Sequence, residues 1–348
     1  MSSKRRILPD RPGFHKDCER GRRGPWYTHA VFRNLVVSGS LAFDRIMDFP
    51  GRFSDHILPD KIHILNVCFA INGLRENFGG TAGNIAYALA LLGERPHVVA
   101  AVGRDFDPYR TWMIRHHLPL EHVLEVADEL TAGAYITTDQ SDNQITAFNP
   151  GAMRHRARFD PEAFPSRETI AVVAPGNLED MEHLARAWRE RGVPYIFDPG
   201  QSLPAWSGEQ LLEMIRGSLI FISNDYELEL TRQKTGRGAE ELLGLTTAVV
   251  TTRGEQGSVL LHREDGLQRS EIAAVTPEKV ADPTGAGDAY RAGLIKGLIK
   301  SRGALLHACR MGSTASAYAV EVYGTQTYRF TLESFNQRFS DAFGYPAF

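Results

Sequence analysis

The sequence predicts an α/β fold with a doubly wound, mainly parallel β-sheet and a small β lid. From residue 169 onward, short apolar runs alternate with amphipathic helical segments, which is the pattern of repeated β/α units. Two insertions, near residues 45–78 and 131–148, contain alternating apolar residues and do not follow that pattern. Because ligands bind at the carboxyl edge of doubly wound sheets, we expect these insertions to form a lid over that edge.

The composition is typical of a soluble cytoplasmic protein. The 348 residues are 43% hydrophobic and carry a net charge of −3. No apolar run approaches the roughly 20 residues that a membrane-spanning helix requires. The three cysteines lie far apart and show no C-x-x-C spacing, which argues against a zinc site and favours a reducing compartment.

Residues 1–30 are predicted to be a disordered basic tail, and residues 31–348 one folded domain. The tail has eight basic and three acidic residues, several glycines and prolines, and no apolar periodicity. A nucleic-acid-binding arm is the alternative, because basic tails bind phosphate backbones. No aromatic interleaving supports that role, so we expect neither nucleic acid nor a membrane as a partner.

The first part of the folded domain predicts one strand of the main sheet and then strands of the lid. Residues 31–38 form an apolar run that ends in glycine and serine, as expected for a buried parallel strand. Apolar residues then alternate at Ile62 and Ile64, and again over residues 67–71. This period of two predicts short antiparallel strands outside the main sheet.

Residues 79–168 predict a helix, a β/α unit and a lid hairpin. A glycine pair precedes the first helical pattern, and Gly93 ends it. The polar residues 139–143 separate two alternating segments, which indicates a hairpin. The elements predicted here are helices over residues 82–92 and 108–116, and strands over residues 96–102, 132–138 and 144–148.

The remainder of the chain predicts strands and helices in strict alternation. Short runs of β-branched and aromatic residues are separated by segments whose apolar residues recur at helical spacing. This arrangement favours parallel strands connected by right-handed helical crossovers. The predicted strands cover residues 170–174, 195–197, 219–222 and 248–252, a hairpin covers 258–272, and helices cover 178–191, 209–215, 225–234, 304–319 and 332–343.

The most informative segment is residues 281–293, with the sequence A-D-P-T-G-A-G-D-A-Y-R-A-G. Gly285, Ala286 and Gly287 directly precede Asp288 and a helical apolar pattern. Backbone N–H groups at a helix amino terminus bind phosphate, and glycines let the backbone approach it closely. A carboxylate beside a phosphate is unfavourable unless it has a function, such as accepting a proton from an attacking hydroxyl. The alternative is an aspartate that merely complements the helix dipole.

This segment resembles the carboxyl-terminal signature of the ribokinase/PfkB family of ATP-dependent sugar and nucleoside kinases. Four further segments resemble motifs of the family and occur in the family's order. They are G-S-L-A-F-D at residues 39–44, G-G-T-A-G-N at 79–84, N-D-Y-E at 224–227 and T-R-G-E-Q-G at 252–257. The matches extend across residues 35–293, so the resemblance implies a ribokinase-like fold for nearly the whole folded domain.

The resemblance implies a sugar-binding role for four residues. Asp44, at the end of the first predicted strand, would accept hydrogen bonds from two sugar hydroxyls. Gly79 and Gly80 would let the backbone approach the sugar, and Asn84 would hydrogen-bond a hydroxyl. Without the resemblance, an acid after a strand is more often a helix cap.

The resemblance also implies an ATP site with Mg²⁺, and it leaves room for a monovalent cation such as K⁺. Thr252, Gly254 and Gly257 would lie under the ATP phosphates, although a hairpin turn explains the same pattern. Asn224 and Glu227 would hold Mg²⁺ through water, and they also have the spacing of a capping box. The base of the nucleotide is expected near residues 307–316.

The implied reaction is phosphoryl transfer from MgATP to a primary hydroxyl, with Asp288 as the base. The N–H groups of Gly285, Ala286 and Gly287 would stabilise charge on the transferring phosphoryl group. Retention of this whole segment argues against the alternative of a non-catalytic nucleoside or sugar sensor.

Adenosine, converted to AMP, is the predicted substrate, with ribose or another sugar as the alternative. The insertion at residues 45–78 is rich in apolar residues, as a nucleobase requires. Residues 56–60 and 143–151 also resemble bacterial members of the family regarded as adenosine kinases. The same apolar residues could form a dimer interface, so the sequence leaves monomer and homodimer open.

Overall fold

The computed structural model describes residues 32–141, 143–264, 266–301 and 304–348. The predicted tail at residues 1–30 lies outside the described residues. The strands are β1 (Asn34–Ser38), β2 (Ala42–Asp48), β3 (Leu74–Gly79), β4 (His97–Gly103), β5 (Val123–Val126), β6 (Ala132–Thr138), β7 (Gln144–Asn149), β8 (Thr169–Val173), β9 (Tyr195–Phe197), β10 (Ile220–Asn224), β11 (Ala248–Thr252), β12 (Ser258–Arg263) and β13 (Leu267–Ile272). The α-helices are α1 (Thr81–Leu91), α2 (Asp107–Arg115), α3 (Leu178–Arg191), α4 (Gly208–Ile215), α5 (Asp225–Thr235), α6 (Ala239–Leu242), α7 (Ala286–Lys300), α8 (Leu305–Ala319) and α9 (Leu332–Phe343).

The main sheet confirms the predicted doubly wound, mainly parallel architecture. Its nine strands have the order β13-β12-β11-β10-β9-β8-β1-β4-β5. The pairings of β12 with β11 and with β13 are antiparallel, and the other pairings are parallel. Apolar clusters cover both faces, so neighbouring residues of one strand are buried on opposite sides, as Val36 and Val37 show. Burial on both faces explains why the parallel strands are continuous apolar runs. None of the described helices has the length and apolar character needed to span a membrane.

The lid is a separate four-stranded sheet with the order β3-β2-β6-β7. The hairpin of β6 and β7 agrees with the predicted segments, but the strands predicted over residues 62–71 are wrong. Pro59–Ile64 is a 3-10 helix, and the Ile62 and Ile64 side chains are mostly exposed. Pro59 begins that helix because its fixed φ suits a first helical position and it has no N–H to offer a strand partner.

The antiparallel pair in this part of the lid is formed by β2 and β3, not by residues 62–71. Charged residues interrupt the apolar alternation of β3, which reads L-R-E-N-F-G, so periodicity did not reveal it. Asp44 is therefore misplaced by the sequence prediction. It lies within β2 of the lid rather than at the end of β1, which stops at Ser38.

Candidate active site

Two adjoining cavities lie at the carboxyl edge of the main sheet. The smaller has a volume of about 250 Å³ and is lined by charged and polar groups, among them Asp198, Asp288 and Arg291. The larger has a volume of about 610 Å³ and mainly apolar walls. Thr252 and Gly287 line both cavities, so the two form one continuous cleft.

The amino terminus of α7 faces this cleft with the predicted glycine-rich turn. Gly285 is the N-cap and has φ of 77°, in the left-handed region where a side chain is strained. A Cβ atom at Gly287 would lie 2.6 Å from the Arg291 guanidinium. The turn therefore requires glycine at position 285. The Ala286 N–H donates to the Pro283 carbonyl at 3.2 Å, and the N–H groups that follow it at this helix amino terminus can bind an anion.

Asp288, in the first turn of α7, is a partly buried carboxylate that lines the smaller cavity. Its carboxylate accepts a hydrogen bond of 2.8 Å from Asn84 Nδ2. Removal from bulk water is the largest effect and raises the pKa of Asp288 to about 7, although the Arg291 charge and the Asn84 hydrogen bond lower it. A base whose pKa lies near the operating pH is well matched to proton transfer.

A buried amide that the sequence analysis missed orients Asn84. Gln326 Nε2 donates to Asn84 Oδ1 at 3.0 Å, so the Asn84 amide nitrogen is left to face Asp288. Trp112 Nε1 in turn donates to Gln326 Oε1 at 3.0 Å. Gln326 lies in the loop after α8, far from Asn84 in sequence and outside every motif, so no local pattern could have identified it.

The lid brings Asp44 to the same region. A Cβ atom at Gly79 would overlap the Asp44 carboxylate, so glycine at that position leaves room for the side chain of Asp44. Partial burial, with a smaller contribution from the negative charge of Asp282, raises the pKa of Asp44 to about 6. Gly80 has φ of 87° and connects β3 to α1, which carries Asn84.

A buried ion pair joins Arg291 of α7 to Asp198, which follows β9, and the sequence analysis did not identify either residue. Arg291 is 7% exposed and Asp198 is 1% exposed. The pair lines the smaller cavity together with Asp288. Arg291 lies within the recognised motif, but its burial and its partner depend on the tertiary fold.

Asn224 and Glu227 form the capping box that their spacing allowed. Asn224 N–H donates to Glu227 Oε2 at 2.8 Å, and Glu227 N–H donates to Asn224 Oδ1 at 2.7 Å. Among the described residues, Glu227 Oε1 has no hydrogen-bond partner. Both residues line the smaller cavity, and such oxygen ligands suit Mg²⁺ or its bound water.

The larger cavity has the size and apolar character that a nucleobase requires. Thr252, Gly254 and Gly257 lie on one side of it. Gly257 has φ of 80°, and a Cβ there would overlap the Ile272 carbonyl. Its other walls include Val275, Val280, Ser313, Ser316, Ala317 and Val320.

Of residues 307–316, where the nucleotide base is expected, only the carboxyl-terminal part borders the larger cavity. Ser313 and Ser316 line the cavity, whereas His307 packs away from it, with Nδ1 3.2 Å from the Tyr345 hydroxyl. The valines at positions 275, 280 and 320 were missed because isolated apolar residues carry no motif.

Comparison with known proteins finds a matching family model, a sequence relative and similar solved structures. Residues 55–330 match the family described as pfkB family carbohydrate kinase. A nucleoside kinase of Methanothermobacter thermautotrophicus is 32% identical over 318 residues, which is 90% of this chain and 97% of that protein. The structure of Burkholderia thailandensis nucleoside kinase in complex with inosine is similar with a TM-score of 0.78 and 39% identity, and the match covers 90% of this chain and 99% of that chain. The structure of the same enzyme in complex with ADP-inosine gives a TM-score of 0.76 and 40% identity, over 90% and 97% of the two chains.

Proposed function

Since this chain belongs to the pfkB family of carbohydrate kinases, which are phosphotransferases that act on hydroxyl groups, we propose that it is a purine nucleoside kinase. It uses ATP to phosphorylate the primary hydroxyl of the ribose. Adenosine is our first candidate, and inosine, which the Burkholderia thailandensis enzyme binds, is the second. The proposal rests mainly on one face of the lid sheet, where a carboxylate and an aromatic ring lie in the same row.

One row of lid side chains combines a carboxylate with an aromatic ring. In the lid sheet, Asp44 pairs with Ala134, and Ala134 pairs with Phe148. Paired residues share a face, and strands lie about 4.8 Å apart, so Phe148 is about 10 Å from Asp44 on the same face. The Phe148 side chain is 52% exposed and available to a ligand. A carboxylate for the ribose diol and a ring for the base, at this separation, fit a nucleoside.

In this proposal one cleft residue accepts a proton and the others stabilise negative charge. Asp288 accepts the proton of the primary hydroxyl while that hydroxyl attacks the γ-phosphoryl group. The buried Arg291 charge and the N–H groups of Gly285, Ala286 and Gly287 stabilise the negative charge that develops on the phosphoryl oxygens.

The nucleotide and its metal have suitable surroundings in the same cleft. The larger cavity accommodates the base of ATP, with Thr252, Gly254 and Gly257 beside the phosphates. Asn224 and Glu227 would hold Mg²⁺ through water, and the ion would neutralise phosphate charge. The monovalent cation such as K⁺ stays a prediction from the family resemblance.

We expect Phe148→Ala to raise KM for adenosine about tenfold and to leave KM for ribose nearly unchanged. Loss of a half-exposed aromatic contact with the base costs about 1–2 kcal/mol of binding free energy. Ribose has no base and makes no such contact, so its binding is unaffected. Ile145→Ala is the matched control, because Ile145 is similarly exposed but lies on the opposite face of β7. Equal effects of Phe148→Ala on both substrates would contradict a role in base binding.

We expect kcat/KM to fall below a pH of about 7 as Asp288 takes up its proton, since only the carboxylate can act as base. Gln326→Leu should move this acidic limb to higher pH, by up to about one unit, because a disoriented Asn84 no longer stabilises the carboxylate. The measurement is a pH profile of kcat/KM, with Gln337→Leu on exposed α9 as control. An unchanged profile for a folded Gln326→Leu variant would exclude the orienting role.

The function is tested by ADP release with adenosine, inosine, guanosine, cytidine and ribose as acceptors. A purine nucleoside should have the highest kcat/KM. A ribose or cytidine value above every purine nucleoside would overturn the proposal. Adenosine binding in calorimetry without ADP release from any acceptor would instead support the sensor alternative.

A further inference from the structure

A second cluster of metal-ligating side chains lies at the opposite edge of the main sheet from the cleft. His97 is the first residue of β4, and Glu121 and His122 form the turn that leads into β5. One potential ligand atom from each of the three residues lies within 4.8 Å of the others. Because β4 and β5 are parallel, their amino-terminal ends meet here and their carboxyl ends lie towards the cleft.

The distances within this cluster are close to those of a metal site. His97 Nδ1 lies 3.5 Å from Glu121 Oε1, and the centroids of the His97 and His122 rings are 5.4 Å apart. Neighbouring donors of a tetrahedral Zn²⁺ ion, each about 2.1 Å from the metal, are separated by about 3.4 Å. Small side-chain rotations would therefore complete the site without a change in the backbone.

The His97 ring also has an unsatisfied nitrogen. Nδ1 is inaccessible to solvent and has no hydrogen-bond partner among the described residues. An unpaired buried polar atom of this kind destabilises the folded protein. A metal ion bound through Nδ1 would remove that cost.

Aromatic rings pack against both imidazoles. The Phe164 ring lies 5.1 Å from His97 and 5.5 Å from His122, and Phe159 lies 5.1 Å from His122. Glu121 is more than half exposed, which gives an ion a path from solvent.

We propose that His97, Glu121 and His122 bind one Zn²⁺-like transition-metal ion that clamps the edge strand β5 to β4. Two imidazoles and one carboxylate favour Zn²⁺ over Mg²⁺, and water would complete the coordination. The site is separate from the Mg²⁺ ligands of the cleft, which offer only oxygen. The alternative is a His97–Glu121 ion pair without a metal.

Zinc titration of the full-length, tag-free protein, in excess Mg²⁺ to occupy the cleft, tests this site. Calorimetry should show one Zn²⁺ per chain, and Zn²⁺ should raise the melting temperature. His97→Gln and His122→Gln should each weaken binding by on the order of tenfold or more. His155→Gln is the matched control, because His155 also faces a single carboxylate, Glu129, at 3.6 Å.

Two results would overturn the metal site. The first is absence of Zn²⁺ uptake by the wild-type protein, which would leave the ion pair as the whole explanation. The second is equal Zn²⁺ affinity of the wild type and the His97→Gln/His122→Gln double variant, with folding checked by circular dichroism. Turnover with MgATP should be the same in the wild type and both single variants, since the cluster lies outside the cleft.

Discussion

Asp288→Asn is expected to lower kcat by about 10²- to 10⁴-fold, the usual contribution of a general base, while nucleoside affinity changes only a few-fold. The amide keeps the size of the side chain but cannot accept the hydroxyl proton. ADP release measures kcat, and calorimetry with adenosine measures the dissociation constant. The two readouts together separate loss of chemistry from loss of binding.

The control for Asp288→Asn is Asp225→Asn in the first turn of α5, where an exposed acid has the same relation to a helix dipole. That dipole interaction is worth about 0.3–1 kcal/mol, which is far smaller than the expected loss of turnover. Near-normal kcat of Asp288→Asn would mean that Asp288 only complements its helix. Equal losses for the two variants would likewise remove the base from the mechanism.

Arg291→Gln is expected to lower kcat by about 10²- to 10³-fold, the usual loss when a preorganised electrostatic group is removed. It should also lower the free energy of unfolding by about 3–5 kcal/mol, because Asp198 would be left as an unpaired buried charge. Denaturant unfolding measures the second effect, and ADP release at a temperature where the variant is folded measures the first.

A double variant distinguishes catalysis from structure at this pair. Asp198→Asn/Arg291→Gln removes both charges, so it should regain most of the lost stability and none of the lost turnover. Recovery of kcat in the double variant would mean that Arg291 is only a structural partner of Asp198. Arg189→Gln, which breaks the more exposed pair with Glu213, should change stability by about 1 kcal/mol or less.

The parts of the fold that were predicted correctly are those whose signals are local. The segment over α3 and the strand β9 agree with the structure to the residue, because a helical period and a short apolar run are read within one window. The short β5 and α6 were missed, since four residues contain too little periodicity to identify an element.

The lid was predicted in position but not in detail. Exposed isoleucines in a 3-10 helix alternate as they would in a strand, so a strand was predicted there wrongly. The charged residues of β3 interrupt its apolar alternation, so that strand was missed. A lid packs against little of the core, so burial does not impose a regular apolar pattern on it. The motif therefore identified Asp44 as a candidate sugar ligand, but the sequence did not show that Asp44 lies in β2.

The sequence by itself determined the type of fold and the family, and it predicted an anion site and a base at the amino terminus of α7, because a glycine-rich turn followed by an acid is a local arrangement. Only the tertiary structure decided which groups surround that acid and shift its pKa. The contacts Asn84–Gln326 and Asp198–Arg291 join segments far apart in the chain. The Arg291 charge and the Asn84 hydrogen bond lower the pKa of Asp288 against the larger effect of burial. Such contacts depend on which elements pack together, and no local window of sequence contains that information.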